Sequence, residues 1–184
     1  MELLDAIRNR RSVRKYSERT VDKATIEALL DAAVQAPSAS NQQPWAFVVI
    51  HGADRVRAYS DRAKAIHLAN PEISEQLRAR MSDPAHNLFH GAPVLLCVYS
   101  KRSGIYGNTD CAMAAYNIML VAHSLGLGTC WIGMGKPLFD SPELKKELGV
   151  PDAYTAVAPL ILGYPDGDLP ATRGRNAPEI LYWG

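Results

Sequence analysis

The sequence lacks the features that mark secreted, membrane-spanning or nucleic-acid-binding proteins. Its 20 Lys and Arg nearly balance its 19 Asp and Glu, so the net charge of +1 gives no reason to expect nucleic acid or an anionic membrane as partner. No apolar run approaches the roughly 20 residues that cross a bilayer. The three cysteines are odd in number and widely spaced, which argues against a disulfide framework and favours a reducing compartment. Because the N-terminus is acidic and lacks a signal-peptide core, we expect a cytoplasmic protein.

Several catalytic motifs are also absent. The chain contains no P-loop and no HExxH motif, and Ser124 lacks the preceding glycine that a nucleophile elbow needs. His86 and His90 are four residues apart, as in a helical metal pair, but no third ligand accompanies them at a recognisable spacing. We therefore expect no metal site.

The chain reads as a single domain over residues 1–184, without repeats or a linker. Periodicity and capping signals predict helices over 2–10, 22–36 and 141–148, a largely helical region over 54–82, and strands over 45–50, 93–99, 129–132 and 154–162. Asp22 is the expected cap of the second helix, and Pro37 its stop. Because the strands do not alternate regularly with helices, the pattern favours an α+β fold, with one sheet covered by helices.

A helix over 110–125 is the strongest in the sequence. Asp110 is its expected N-cap, and its residues are apolar almost all round, which is typical of a buried helix. The segment 164–184 is an irregular tail with an apolar end at 180–183. Such a tail must pack on its own domain or on a partner.

An arginine-rich segment follows the first helix. Arg10, Arg11, Ser12 and Arg14 combine guanidinium forks with a hydroxyl, which suits a phosphate. A solvated basic run is the alternative interpretation of the same residues. In the tail, Arg173 and Arg175 flank a glycine and could close over an anion, or lie on the surface.

The segment 36–45 joins a helix to a strand through small and amide-bearing residues. Asn and Gln present both donors and acceptors, which suits the edge of a heteroaromatic ring. Turn chemistry is the alternative, because Pro, Ser and Asn are common loop residues.

A glycine-rich segment spans 126–135. Its glycines would let backbone amides approach a ligand, but Trp131 occupies the third glycine position of a dinucleotide fingerprint. Cys130 has no basic partner nearby in sequence, so a buried inert thiol is favoured over a nucleophile. His123 lies inside the predicted buried helix and is interpreted as a core histidine.

Taken in order, these segments resemble the nitroreductase family. The resemblance rests on residues 10–16, the 36–45 loop running into a strand, the helix from Asp110 followed by 126–133, then 162–165 and the tail arginines. It covers essentially the whole chain, and the first two motifs together are its most specific part.

The resemblance implies an α+β fold with a central, mostly antiparallel sheet flanked by helices, in an intertwined homodimer with an FMN in each of two interface sites. The tail 164–184 would pack on the partner subunit. The FMN phosphate would face Arg10, Arg11, Ser12, Arg14, Arg173 and Arg175. The flavin would be lined from the other subunit by Pro37, Ser38, Ala39, Ser40, Asn41 and Gln43. Ile132 and Gly133 would offer backbone amides near N5.

The expected activity is reduction of small electrophiles, such as nitroaromatics or quinones, by hydride from NADH or NADPH in a ping-pong cycle. No protein nucleophile is expected, because the chemistry belongs to the cofactor. The same scaffold resembles flavin-dependent dehydrogenases, dehalogenases and flavin-fragmenting enzymes, and a flavin-binding or redox-sensing module without turnover is a further alternative. Residues 54–90 align with no family motif, so they leave the substrate-facing wall and the choice of nicotinamide open.

Overall fold

The computed structural model describes residues 1–169, 171 and 174–184. In chain order its helices are α1 (Leu3–Asn9), α2 (Lys23–Ala33), α3 (Ala53–Ala69), α4 (Glu75–Ser82), α5 (Ile105–Ser124), α6 (Lys136–Asp140) and α7 (Pro142–Leu148). Its strands are β1 (Trp45–His51), β2 (Val94–Ser100), β3 (Gly128–Trp131) and β4 (Thr155–Gly163). Two short 3₁₀ turns cover Ala39–Asn41 and Gly133–Gly135.

The four strands form one antiparallel sheet in the order β1-β2-β4-β3. All seven residues of β2 are buried, because this strand lies inside the sheet and helices cover both faces. Side chains of β2 alternate between two apolar clusters, with Leu96 in the cluster that contains α2 and α5 residues and Leu95 in the cluster that contains α3, α6 and α7 residues. The predicted α+β class and mostly antiparallel sheet are confirmed.

Most predicted elements are present with shifted ends. Asp22 caps α2, accepting from the backbone N–H of Thr25 at 2.7 Å, and Ser141 caps α7. The second helix ends at Ala33 rather than at residue 36. Beyond Ala33 the N–H groups of Gln35 and Ala36 donate to carbonyls three residues earlier, which forms turns that end the helix before Pro37. The region 54–82 is two helices, since the chain turns after α3 and restarts where Ser74 accepts from Leu77 N–H.

The prediction that Asp110 caps the long helix was wrong. Helix α5 begins at Ile105, after Gly104 with φ 98°, so Asp110 lies inside the helix and is 5 % exposed. The first turn of the helix packs closely on the end of β2, because a Cβ at Gly107 would lie 2.5 Å from Ser100 Oγ and 2.6 Å from the carbonyl oxygen of Arg102. None of the helices in the described part of the chain has the length and apolar character that a membrane crossing requires.

Candidate functional site

A cavity of about 520 Å³ joins the two ends of the chain. Its lining comprises Arg10, Arg11, Ser12, Val13, Arg14, Lys15, Pro165, Asp166, Asp168, Ala171 and Arg175. The arginine-rich segment and one of the two tail arginines therefore meet, although about 160 residues separate them in sequence. The other tail arginine, Arg173, lies outside the described residues.

Backbone pairing explains why these segments meet. Ser12 forms a parallel bridge with Thr129 of β3, and Val13 N–H donates to the Thr129 carbonyl at 2.9 Å. Further along, Tyr16 forms an antiparallel bridge with Pro165, which follows the end of β4. The segment 10–17 thus runs from β3 to the continuation of β4, and it carries its arginines to the start of the tail.

The packing of Val13 sets the direction of its neighbours. Val13 is 3 % exposed, and a Cβ on Gly128 would lie 2.6 Å from the Cβ of Val13. Only glycine at position 128 permits this approach. Because successive side chains of an extended segment alternate in direction, the inward Val13 turns Ser12 and Arg14 the other way, toward the cavity they line.

The cavity is predominantly positive, with two carboxylates at its tail side. Asp166 is paired with Lys15, Nζ to Oδ2 at 2.7 Å, and its N–H donates to the Lys15 carbonyl at 3.1 Å. The ion pair neutralises the Asp166 carboxylate, and together with the backbone hydrogen bond it holds the beginning of the tail against the arginine segment. The remaining charged residues of the lining are four arginines and Asp168, so the site is suited to an anion.

Two arginines of the segment have different surroundings. Arg11 Nη1 donates to the carbonyls of Arg8 at 2.7 Å and Arg10 at 2.8 Å, so it satisfies carbonyls at the C-terminal end of α1. In contrast, Nε and Nη1 of Arg10 are buried and have no hydrogen-bond partner among the described residues. A buried charged donor without an acceptor is costly, and it points to a group that the protein chain alone does not supply.

The 36–45 loop is strained. Ser40, Asn41 and Gln43 have φ of 51°, 51° and 47°, in the left-handed region that residues other than glycine rarely adopt. Ser38 Oγ accepts from Gln43 N–H at 3.0 Å, and Asn41 Oδ1 accepts from Gln43 Nε2 at 3.2 Å. Asp110 Oδ2 accepts from Ala39 N–H at 3.2 Å and joins the loop to α5.

This loop does not line the arginine cavity of its own chain. The side chains of Ser40, Asn41 and Gln43 are exposed, and that of Pro37 is exposed as well. Strain maintained in an exposed loop by a buried carboxylate is typical of a ligand-binding segment.

The glycine-rich segment departs from expectation at one residue. The N–H of Ile132 donates to the Pro159 carbonyl at 2.8 Å, so it extends the pairing of β3 with β4 and is not offered to a ligand. Gly133 is exposed at the start of its 3₁₀ turn and remains the candidate donor. His67 Nε2 lies 2.8 Å from the Met134 carbonyl and ties this turn to α3.

The sequence profile of the Nitroreductase family matches residues 7–164. The chain belongs to this family. The matched span includes β1–β4, the arginine segment, the strained loop and the glycine-rich segment.

Individual nitroreductase relatives match over nearly the whole chain. A protein of Methanothermobacter thermautotrophicus, provisionally named an NADH dehydrogenase/NAD(P)H nitroreductase, is 34% identical over 99% of this chain and 86% of its own length. An iodotyrosine deiodinase of Thermotoga neapolitana is 27% identical over 91% of each chain. The crystal structure of a nitroreductase with bound FMN from Bacteroides fragilis covers 100% of both chains with a TM-score of 0.89 and 28% identity.

Cys130 lies in β3, the strand that pairs with the arginine segment. It is 1 % exposed, and burial raises the pKa of its thiol despite the opposing effects of Arg14, a hydrogen bond from Ser12, and Arg10. The predicted burial of this thiol is confirmed, and its raised pKa favours the protonated form, which is the less reactive one. Tyr16 is half-buried, desolvation raises the pKa of its hydroxyl, and that hydroxyl donates to the Val13 carbonyl at 2.7 Å.

Sequence interpretation missed the role of the region before β2. Lys64 is 7 % exposed and donates from Nζ to the carbonyls of Asp83 at 2.7 Å and His86 at 3.0 Å. This buried cation holds the turn that leads to His90, which has φ 56°. Burial lowers the pKa of His90, and so does the positive charge of Arg14, so the neutral imidazole is favoured.

No metal ligand set occurs in the described part of the nitroreductase chain, where no group of three or more His, Cys, Asp or Glu could hold an ion. His86 Nε2 is instead the partner of Arg80 Nε at 3.2 Å.

Proposed function

We propose that this protein is an FMN-dependent oxidoreductase that takes hydride from NADH or NADPH and delivers it to small electrophiles such as nitroaromatics or quinones. The observation that carries the proposal is the arginine cavity, in which buried N–H groups of Arg10 lack a protein acceptor. A phosphate carries nearly two negative charges at neutral pH and three acceptor oxygens, so it matches this donor set. Membership of a family with an FMN-bound member of the same fold supports that choice of anion.

The phosphate is held by residues from both ends of the chain. Arg10, Ser12, Arg14 and Arg175 contact it, with Arg11 adding positive charge beside it. The strained loop lines the ring of an FMN held by the partner subunit, through Pro37, Ser38, Ala39, Ser40, Asn41 and Gln43. Gly133 N–H serves as a donor at the ring edge.

FMN supplies hydride-transfer chemistry at its ring when bound, so no protein nucleophile is required. The role of this chain is to bind and orient. The arginines anchor the phosphate end, the amide side chains of Asn41 and Gln43 offer donors and acceptors to the ring, and the buried Cys97, Cys111 and Cys130 stay out of the reaction.

We infer that the tail acts in dimer assembly. Ile180, Leu181, Tyr182 and Trp183 are 56 to 89% exposed on the isolated chain, an apolar run that a partner would cover. An apolar groove of about 620 Å³ between α2 and the edge strand β1, with Leu30 and Val49 in its lining, is a surface of matching character. A partner subunit that receives the tail would also bring its strained loop to the other cavity.

The test is flavin identification followed by turnover. Purified protein should release FMN on denaturation and should oxidise NADH or NADPH when a nitroaromatic is supplied. Release of FAD alone, or no flavin after reconstitution with FMN, contradicts the proposal. Turnover only with halogenated substrates would instead indicate a dehalogenase, an activity for which the deiodinase relative is a precedent.

A further inference from the structure

The turn that follows β3 is joined to α3 by a side-chain hydrogen bond. His67 lies in the last turn of α3, and its Nε2 atom is 2.8 Å from the carbonyl oxygen of Met134. Because a carbonyl oxygen only accepts, Nε2 carries the proton and donates it to this bond. His67 belongs to the region 54–90, for which the sequence alone predicted no role in the site.

Helix α4 supports the end of α3 that carries His67. Arg78 of α4 donates from Nη1 to the Leu68 carbonyl and from Nη2 to the Asn70 carbonyl, both at 3.4 Å. Asn70 Oδ1 accepts from Glu72 N–H at 3.0 Å and shapes the turn between the two helices. These bonds satisfy carbonyls at the C-terminal end of α3, so they hold the turn of helix in which His67 lies.

The carbonyl that His67 contacts belongs to a peptide whose N–H is also bonded. That N–H is on Gly135, and it donates to the Ile132 carbonyl at 2.8 Å. The Ile132 carbonyl in turn shares a planar peptide with the N–H of Gly133. Peptides in the described part of the chain are trans, so the Gly133 N–H points away from the Ile132 carbonyl. The bond that this carbonyl accepts therefore sets the direction of the Gly133 N–H.

Two peptides thus form a hydrogen-bonded series from His67 to Gly133. Each bond polarises the peptide that accepts it and makes the N–H of that peptide a stronger donor, by about 10–30% per bond. Packing holds the series in place, since a Cβ on Gly135 would lie 3.0 Å from Cε1 of Phe89 and 3.3 Å from Cβ of Pro159. A Cβ on Gly133 would meet no described atom within 4 Å, so a ligand has room to approach its N–H.

We propose that His67 is a positioning residue that orients and strengthens the Gly133 N–H at the edge of the flavin ring. This role rests on the proposed function, in which FMN binds beside this turn. Uptake of hydride adds two electrons and one proton to the ring, so the charge of the ring becomes more negative by one. A preorganised donor at the ring edge favours the more negative state. His67 therefore raises the midpoint potential of the bound flavin.

The experiment measures the midpoint potential of bound FMN and the hydrogen exchange of the Gly135 amide in the full-length protein. His67→Leu removes the donor. It should weaken reduced FMN relative to oxidised FMN about threefold, which is about 14 mV for a two-electron couple. It should also speed exchange of the Gly135 N–H about three- to tenfold, the net contribution of one hydrogen bond.

Two amide variants separate the lost donor from a general loss of packing. His67→Gln places an N–H donor at a similar distance from the backbone and should restore both the potential and the exchange rate. His67→Asn is one methylene shorter and should restore neither. These two variants carry the test if His67→Leu does not fold.

Arg57→Leu is the matched control. Arg57 lies on the same helix and donates from Nη2 to the Pro84 carbonyl at 3.3 Å, a bond that does not lead to the glycine-rich turn. This variant should change neither the potential of bound FMN nor the exchange of the Gly135 amide.

The outcomes separate this role from the proposed function. If the wild-type protein binds no FMN, the proposed function is wrong and the role of His67 at the ring falls with it. If the wild type binds FMN and a nicotinamide reduces it, an unchanged potential in His67→Leu overturns only the role of His67. A potential that His67→Gln lowers as much as His67→Leu also overturns it, because the donor is then not the cause.

Discussion

The backbone N–H of Ala39 donates a hydrogen bond to Oδ2 of Asp110 at 3.2 Å, across 71 residues of sequence. Asp110 is 5 % exposed within α5, so a buried carboxylate on a rigid helix holds the first residue of the strained turn. This contact couples the helix at the centre of one apolar cluster to the loop that we assign to the flavin ring.

Replacing Asp110 should therefore affect the ring side of the site. Asp110→Ala removes a charged acceptor from Ala39 N–H and should lower the free energy of unfolding by about 1–3 kcal/mol. It should weaken FMN and riboflavin alike, because the loop faces the ring that both flavins share. Asp110→Asn keeps an acceptor oxygen and should retain most of the affinity. Loss of FMN alone would contradict this assignment of the loop.

The cavity arginines should act on the phosphate side. Charge-assisted contacts contribute about 1.5–3 kcal/mol each, so Arg14→Ala or Arg175→Ala should weaken FMN by roughly ten- to a hundredfold. Riboflavin should bind about as before, and Lys at either position should rescue only partly because it lacks the planar fork. Titration of both flavins measures the effect, with the exposed Arg57→Ala as control. Equal losses for the two flavins would mean that the arginines act through folding.

The apolar tail should be required for assembly. Deleting residues 180–184 removes side chains that are up to 89% exposed on the isolated chain, and should shift the protein from dimer to monomer. Light scattering of the full-length and truncated proteins gives the masses. Obligate interfaces bury roughly 2,000–5,000 Å², so the full-length dimer should persist at micromolar concentration. A full-length monomer that still holds FMN would be inconsistent with a shared site.

The thiols should be unreactive in the folded protein. Cys97, Cys111 and Cys130 are at most 1 % exposed. Burial raises the pKa of all three, in the case of Cys111 to about 11, so they are protonated at pH 8. A thiol reagent at that pH should modify none rapidly, and all three after denaturation. Rapid modification of the native protein, without loss of structure, would contradict this expectation.

Local patterns predicted the elements better than the contacts between them. The run of β-branched and aromatic residues at 45–50 lies within β1, and the Asp22 cap was correct, because each depends on neighbours in sequence. The role of Asp110 could not be predicted, since its partner is 71 residues away and the same residue type is a common cap. The helix start at Ile105 was also missed, because Gly104 and Gly107 lie in this region and glycine disfavours a helix in local patterns.

In the candidate site, too, the residue types could be predicted from sequence, whereas their long-range contacts could not. Residue chemistry together with the family resemblance predicted Arg10, Ser12, Arg14 and Arg175 as phosphate ligands, and the structure places all four around one cavity. It did not predict that donors of Arg10 would be buried without a partner, because an unsatisfied buried atom becomes visible only when the elements are packed together. Likewise, the N–H of Ile132 was assigned to a ligand, but its pairing with Pro159 depends on the sheet register.

In the proposed reaction, the bound flavin takes hydride from a nicotinamide and passes it to a small electrophile in two separate half-reactions. Anaerobic mixing of the purified FMN-loaded protein with NADH or NADPH, followed by a nitroaromatic or a quinone, tests it most directly. We predict that the flavin absorbance is bleached in the first step and restored in the second, with parallel double-reciprocal plots in steady state. If neither nicotinamide reduces the flavin in protein with FMN fully bound, the protein is not a nicotinamide-dependent reductase.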